Sequence, residues 1–239
     1  MVAWGHGQFY YGGALTAWNN SCKHLLGFST AAASLVTAMA HTASSPATSC
    51  STVLPADLQA ILDDLDTSDR KARRIAGGLS DAQANWQPSE TAWSVGQCLD
   101  HLARANTVYT AALLTAVTDP RAERKSRRAP IQPAWFSRFF IRTIEPPPKR
   151  RHGAPAKIVP ASRTSGEAAL WAFLESQEQV RTVIRRSAGL DLNRIRFRNP
   201  FIGFLRFTVG TGLLVIAAHE RRHLWQAGQV LQSAAFPSN

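Results

Sequence analysis

The chain of 239 residues has only three cysteines, Cys22, Cys50 and Cys98, and no two of them form a CxxC or CxxxC pair. Three widely separated cysteines suggest neither a disulfide framework nor a cysteine-rich zinc site. Cys98 falls in an apolar helical stretch, where a thiol serves as a small buried hydrophobe. Uninterrupted apolar runs of about 18 residues are also missing, which argues against a transmembrane helix. No stretch alternates apolar and polar residues strongly enough to compete as a strand, and no internal repeat is found.

Acidic residues are missing from positions 1–52, a segment rich in Ala, Ser, Thr and Gly with no sustained helical stripe. It reads as an appendage to one folded domain over 53–235. Within it, Leu25 to Ala40 is moderately apolar, follows Lys23 and ends in Ala38-Met39-Ala40, an imitation of a signal peptide's apolar region and cleavage site. Polar interruptions and a long lead oppose that reading. Two expectations stand side by side: export if residues 1–40 act as a signal peptide, or a cytoplasmic protein whose first residues are disordered or lie upstream of the true start.

The formal charge of +11 suggests a polyanion-binding surface until the charges are located. Between Arg121 and Arg163, twelve Lys and Arg residues stand against two acids, Glu123 and Glu145, a local balance of +10. The remainder of the chain is nearly neutral. A basic surface over the whole domain is therefore excluded.

What is present is helical periodicity. Leu58, Ile61, Leu62 and Leu65 open a first helix that continues through Ala72 to Ile75 and stops at Gly77-Gly78. Ser94 is a good N-cap for a second, from Val95 to Val117. Seven prolines between Arg121 and Arg163 forbid one regular helix there, although Trp135 to Ile141 is apolar enough for a short one. A third helix opens near Ser165 and closes at Gly189. A fourth spans Thr208 to Ser233 with Val209, Leu213, Ile216 and Val230 on its apolar face, after an irregular link through Asn199-Pro200. The expected fold is all-α, a four-helix bundle with a long Pro-rich basic crossover between helices two and three.

His219-Glu220-Arg221-Arg222-His223 places two imidazoles one helical turn apart on one face, where both can reach a single ion. The letters satisfy HExxH, the pattern of zinc proteases with the glutamate as general base. Such enzymes draw a third ligand from downstream, and the sixteen residues after His223 hold no His, Glu, Asp or Cys. The third ligand must come from upstream. His101 is the best candidate, because it lies in the middle of the second helix on the face carrying Gln97, Cys98, Ala105 and Val108. Three imidazoles in one core would otherwise each need a separate hydrogen-bond partner.

Trp86-Gln87-Pro88, the run Trp93-Ser94-Val95-Gly96-Gln97-Cys98-Leu99-Asp100-His101-Leu102, and Ala218-His219-Glu220-Arg221-Arg222-His223-Leu224-Trp225-Gln226 resemble the two signature blocks of the DinB-like superfamily. The resemblance covers roughly Leu54 to Leu231. It implies a four-helix bundle with a three-histidine site for nickel, zinc or iron, carried over here to His101, His219 and His223. Characterised relatives include transferases and isomerases that use low-molecular-weight thiols such as bacillithiol or mycothiol. A glutamate is frequent where this chain has Gln97, which puts acid/base work at that position in doubt.

The leading expectation is a metal-dependent thiol S-transferase acting on a small electrophile, with an open coordination position. Gln97 and Gln226 are candidates for hydrogen bonds to ligands or substrate, and Glu220 for either acid/base work or a solvated carboxylate pairing with Arg221 or Arg222. One alternative is a non-catalytic module stabilised by metal. Another places function in the basic segment, contacting anionic lipid or nucleic acid through Trp135, Phe136, Phe139 and Phe140. The resemblance runs through that segment and argues against this reading as a whole; no nucleic-acid partner is expected, and a homodimer is left open.

Overall fold

The computed structural model describes residues 54–148 and 153–238. The expectations for residues 1–52, export included, lie outside these. The described part is all-α apart from one small hairpin. Four long helices dominate: α1 (Ala56–Ala76), α3 (Val95–Val117), α6 (Gly166–Arg186) and α7 (Val209–Leu231). α3 packs along α6 and α7, and α1 packs along the same two. Shorter helices α2 (Asp81–Asn85), α4 (Pro120–Glu123) and α5 (Trp135–Ile144) fill the connections. Among the described residues, no helix is long and apolar enough to cross a membrane.

Local sequence explains the helix starts. Ser94 accepts from the Gln97 backbone N–H at 3.2 Å while the Gln97 side chain accepts from the Ser94 N–H at 3.0 Å, a capping box that fixes where α3 begins. Thr208 caps α7 in the same manner through the Thr211 N–H. Gly212 is required by packing: a Cβ there would stand 2.7 Å from Leu113 and 2.8 Å from Phe197. Glycine thus lets α7 lie close to α3.

The link before α7 is not wholly irregular. Strands β1 (Arg196–Arg198) and β2 (Arg206–Thr208) pair antiparallel, with Phe197 opposite Phe207 and both rings buried. The Arg-Phe-Arg and Arg-Phe-Thr triplets carry the period-two pattern in runs too short to stand out. The basic connection between α3 and α6 is also tied down. Arg127 pairs with Asp57 on α1, the Ile131 N–H donates to the same carboxylate at 2.7 Å, and Phe140 packs on Phe207 with ring centroids 5.3 Å apart.

The long helices meet in a buried polar layer. Glu220 of α7 is fully buried, and it accepts from Asn106 Nδ2 of α3 at 2.9 Å and from Gln177 Nε2 of α6 at 3.1 Å. The Ser68 hydroxyl of α1 donates to it as well. One carboxyl on α7 therefore binds side chains from the other three long helices. The expectation of a solvated carboxylate at Glu220 is overturned, because it points away from Arg221 and Arg222 into the helix interface. Arg221 instead pairs with Glu145 and Asp64.

A candidate metal centre

The triad is assembled by α3 and α7. Chelation requires donor atoms in reach of one another, and the ligand nitrogens of His101, His219 and His223 all lie within 4.8 Å. Nε2 of His101 stands 3.2 Å from Nε2 of His219. Nitrogens about 2.1 Å from one ion are separated by roughly 3.0–3.4 Å in octahedral or tetrahedral geometry. That pair is already at ligand spacing. These three histidines could hold a metal ion.

The outer nitrogens are held by the protein. His101 Nδ1 donates to the carbonyl of Ile158 at 2.7 Å, and His223 Nδ1 donates to Gln226 Oε1 at 3.1 Å. Each bond leaves the Nε2 lone pair for the centre, the usual way a ligating imidazole is oriented. The Trp93 ring covers the site, 4.6 Å from the ring centre of His101 and 5.5 Å from that of His223.

Burial keeps the triad uncharged. Desolvation lowers the pKa of His101 despite the bond to Ile158. His219 is brought down to about 3, first by desolvation and then by repulsion from His101 and the Arg222 guanidinium. His223 is held well below the ordinary range for the same first reason, with His219, His101 and Arg222 adding to it. Neutral imidazole is the form that coordinates. Glu220 is displaced in the other direction, up to about 7, because desolvation outweighs its three donors.

A cavity of about 1050 Å³ opens onto the triad. Its walls include Tyr109, Phe140, Phe201, Ile202 and Ile216, with Arg142 and Arg222 among the charged residues. The basic connection therefore forms part of the cavity wall through Phe139, Phe140 and Arg142.

The three histidines are brought together as the sequence suggested. Gln226 lies against His223. Gln97 does not reach the centre. Besides capping α3, it donates to the carbonyls of Ala161 and Ser162 at 3.4 and 3.3 Å, and receives a bond from Gln87 at 3.0 Å. Its place at the third position of the helix turns the side chain back on the cap. Sequence reasoning missed Trp93 as a cover, Ile158 as the acceptor for His101, and the Glu220 layer. For the layer a signal existed: Ser68, Asn106, Gln177 and Glu220 each interrupt an apolar stripe at helical spacing, as in Leu213, Ile216, Glu220, Leu224 and Ala227. Ile158 carries no such signal, since any residue offers a carbonyl. Cys98 is buried, as its apolar surroundings predicted, and burial pushes its thiol up.

Among known families, the DinB superfamily model matches residues 64–227, a span that holds all three histidines. The chain belongs to that superfamily. No match is found among curated proteins or solved structures.

Proposed function

We propose that this member of the DinB superfamily is a metal-dependent transferase, in which His101, His219 and His223 hold one divalent ion and a low-molecular-weight thiol is transferred to a small electrophile in the adjoining cavity. The observation that carries the reading is the cavity itself, which opens directly onto three neutral imidazoles. A purely structural metal site is closed by protein ligands, whereas a catalytic one keeps a position open. A divalent ion there would supply Lewis acidity that keeps a thiol ionised at neutral pH.

The chain's own residues do the rest. Ile158 and Gln226 fix the ring orientations of His101 and His223, and Trp93 shields them from water. Arg222, buried on the cavity wall, favours an anion beside the triad. The apolar walls exclude water from an electrophile seated against Phe140 and Phe201. In the transfer, sulfur forms a bond to the electrophilic carbon as the leaving group departs with its electron pair, and the thiol proton passes to buffer.

Metal analysis of protein purified without an affinity tag, followed by thiol consumption assays with a panel of small electrophiles, tests the reading. The expected result is about one ion per chain and a thiol-dependent product. Loss of that product in His101→Ala, with the helical spectrum retained, is expected too. Bound metal with no thiol consumed across the panel would leave the centre standing and remove the transferase.

A further inference from the structure

The outward side of α5 combines aromatic and basic residues in a way the metal centre does not use. Trp135, Arg138, Phe139 and Arg142 follow one another at helical spacing, which places them on one face. Phe140, Ile141 and Ile144 face the other way and pack on the core. Trp135 is 74% exposed and Phe139 61%, with Phe136 beside them at 43%. Side chains of this size are seldom left in water on an amphipathic helix whose inner face is already satisfied.

A second element repeats the composition. At the turn between β1 and β2, Phe204 is 86% exposed. On the strands, Arg196, Arg198 and Arg206 are exposed, and Arg198 stands directly opposite Arg206 in the ladder. Like charges placed across a strand pair repel one another, so this pairing is a cost in the isolated molecule and is relieved by an anion. Among the described residues, no carboxylate lies within ion-pair distance of Arg138, Arg142, Arg196, Arg198 or Arg206.

The two elements adjoin the same opening. Phe140 packs on Phe207, and the cavity is lined by Phe139, Phe140 and Arg142 from α5 and by Phe201 and Ile202 from the turn. Phe139 and Arg142 line the cavity while staying exposed, so they stand at its mouth.

We propose that the face formed by α5 and the β1–β2 turn docks on an anionic lipid bilayer, with the mouth of the cavity at the membrane interface. Aromatic rings enter the headgroup boundary, where amphipathic side chains are stable, while arginines reach the lipid phosphates. The guanidiniums oppose a second copy on this face, because a symmetric contact sets them against each other. The apolar cavity opening among them suits an acyl or aromatic ligand rather than a phosphodiester backbone.

Sedimentation of the full chain with vesicles tests this. Binding is expected to mixed phosphatidylcholine and phosphatidylglycerol vesicles but not to phosphatidylcholine alone, and to weaken as salt is raised. Arg138→Gln and Arg142→Gln should each weaken it about fivefold, and Trp135→Ser with Phe204→Ser on the order of tenfold. These side chains are exposed, so the helical spectrum and melting temperature should hold. His223→Ala should bind vesicles as the unaltered chain does, which separates this inference from the metal centre. No binding to anionic vesicles at low salt overturns it, as does equal binding to neutral ones. A dimer in gel filtration that Trp135→Asp dissociates would assign the face to a second copy, and an oligonucleotide bound through these residues while vesicles are not would assign it to nucleic acid.

Discussion

Helix α7 carries two buried polar sites that begin one residue apart. Glu220 faces the other long helices and is met by Asn106, Gln177 and Ser68. His219 and His223 face the cavity, with His101 opposite, and their inner nitrogens point at one another. Both sites prefer to be neutral, for the same reason of desolvation, yet they solve the problem differently. The carboxyl site is completed by donors on the neighbouring helices. Among the described residues, the imidazole site presents lone pairs that no donor fills as a set, and a cation satisfies them together. A buried polar cluster thus points to a ligand when its unpaired chemistry is all of one kind.

If the two sites differ in this way, the heaviest loss of stability should come at Glu220. Glu220→Ala removes the shared acceptor of Asn106 and Gln177 in the helix interface, leaving Asn106 its bond to Ser176 and Gln177 its bond to the Leu65 carbonyl, and should cost about 3–5 kcal/mol in urea unfolding. Metal binding by the surviving protein should persist. If stability is unchanged, the layer does not hold the helices together. Glu220→Gln should be far milder, because Gln177 Oε1, which has no partner among the described residues, can accept from the new amide after rotation.

Removing the ion is the next largest effect. At a free metal concentration of about 100 times Kd, chelation should cost roughly 2.7 kcal/mol, a fall of about 5–10 °C in Tm. His223→Ala should abolish that response. Equal responses from the unaltered chain and the variant, once metal has been shown to leave, would remove the triad as its site.

The two sites should also answer pH with opposite signs. In metal-free protein the folded-state pKa values of the imidazoles are depressed, that of His219 to about 3. Their contribution is therefore present above about pH 6.5 and lost as pH falls towards about 3. Glu220 has its folded pKa raised to about 7. Its contribution is present below about pH 4.5 and lost as pH rises through about 7. Unfolding curves across this range should show Glu220→Gln gaining on the unaltered chain as pH rises from about 4.5 to about 7; parallel curves would contradict the assignment.

Smaller effects separate the two glutamines. Gln226→Leu removes the acceptor for His223 Nδ1 and should weaken metal affinity about 10- to 100-fold, read by competition with a chelator. Gln97→Ala loses the capping box, the bonds to Ala161 and Ser162 and the bond from Gln87, at about 1 kcal/mol, with metal affinity unaltered. A reversal of that order would return Gln97 to the centre.

The long helices, their caps and the candidate ligands were legible in the order of residues alone, because a 3.6-residue period, a serine before an apolar run and two histidines one turn apart are local facts. His101 was marked in the same way, by an imidazole set into an apolar face. The direction of Glu220 was settled by packing, since a residue one position from His219 lies about 100° around the helix and either solvent or a neighbouring helix can meet it. Packing also supplied the Ile158 carbonyl, which any residue could have offered, and turned Gln97 away from the triad and Gln226 towards it. The cavity, too, arises from segments far apart in the chain, so its depth and its apolar walls exist only once α3, α5, α7 and the hairpin have packed.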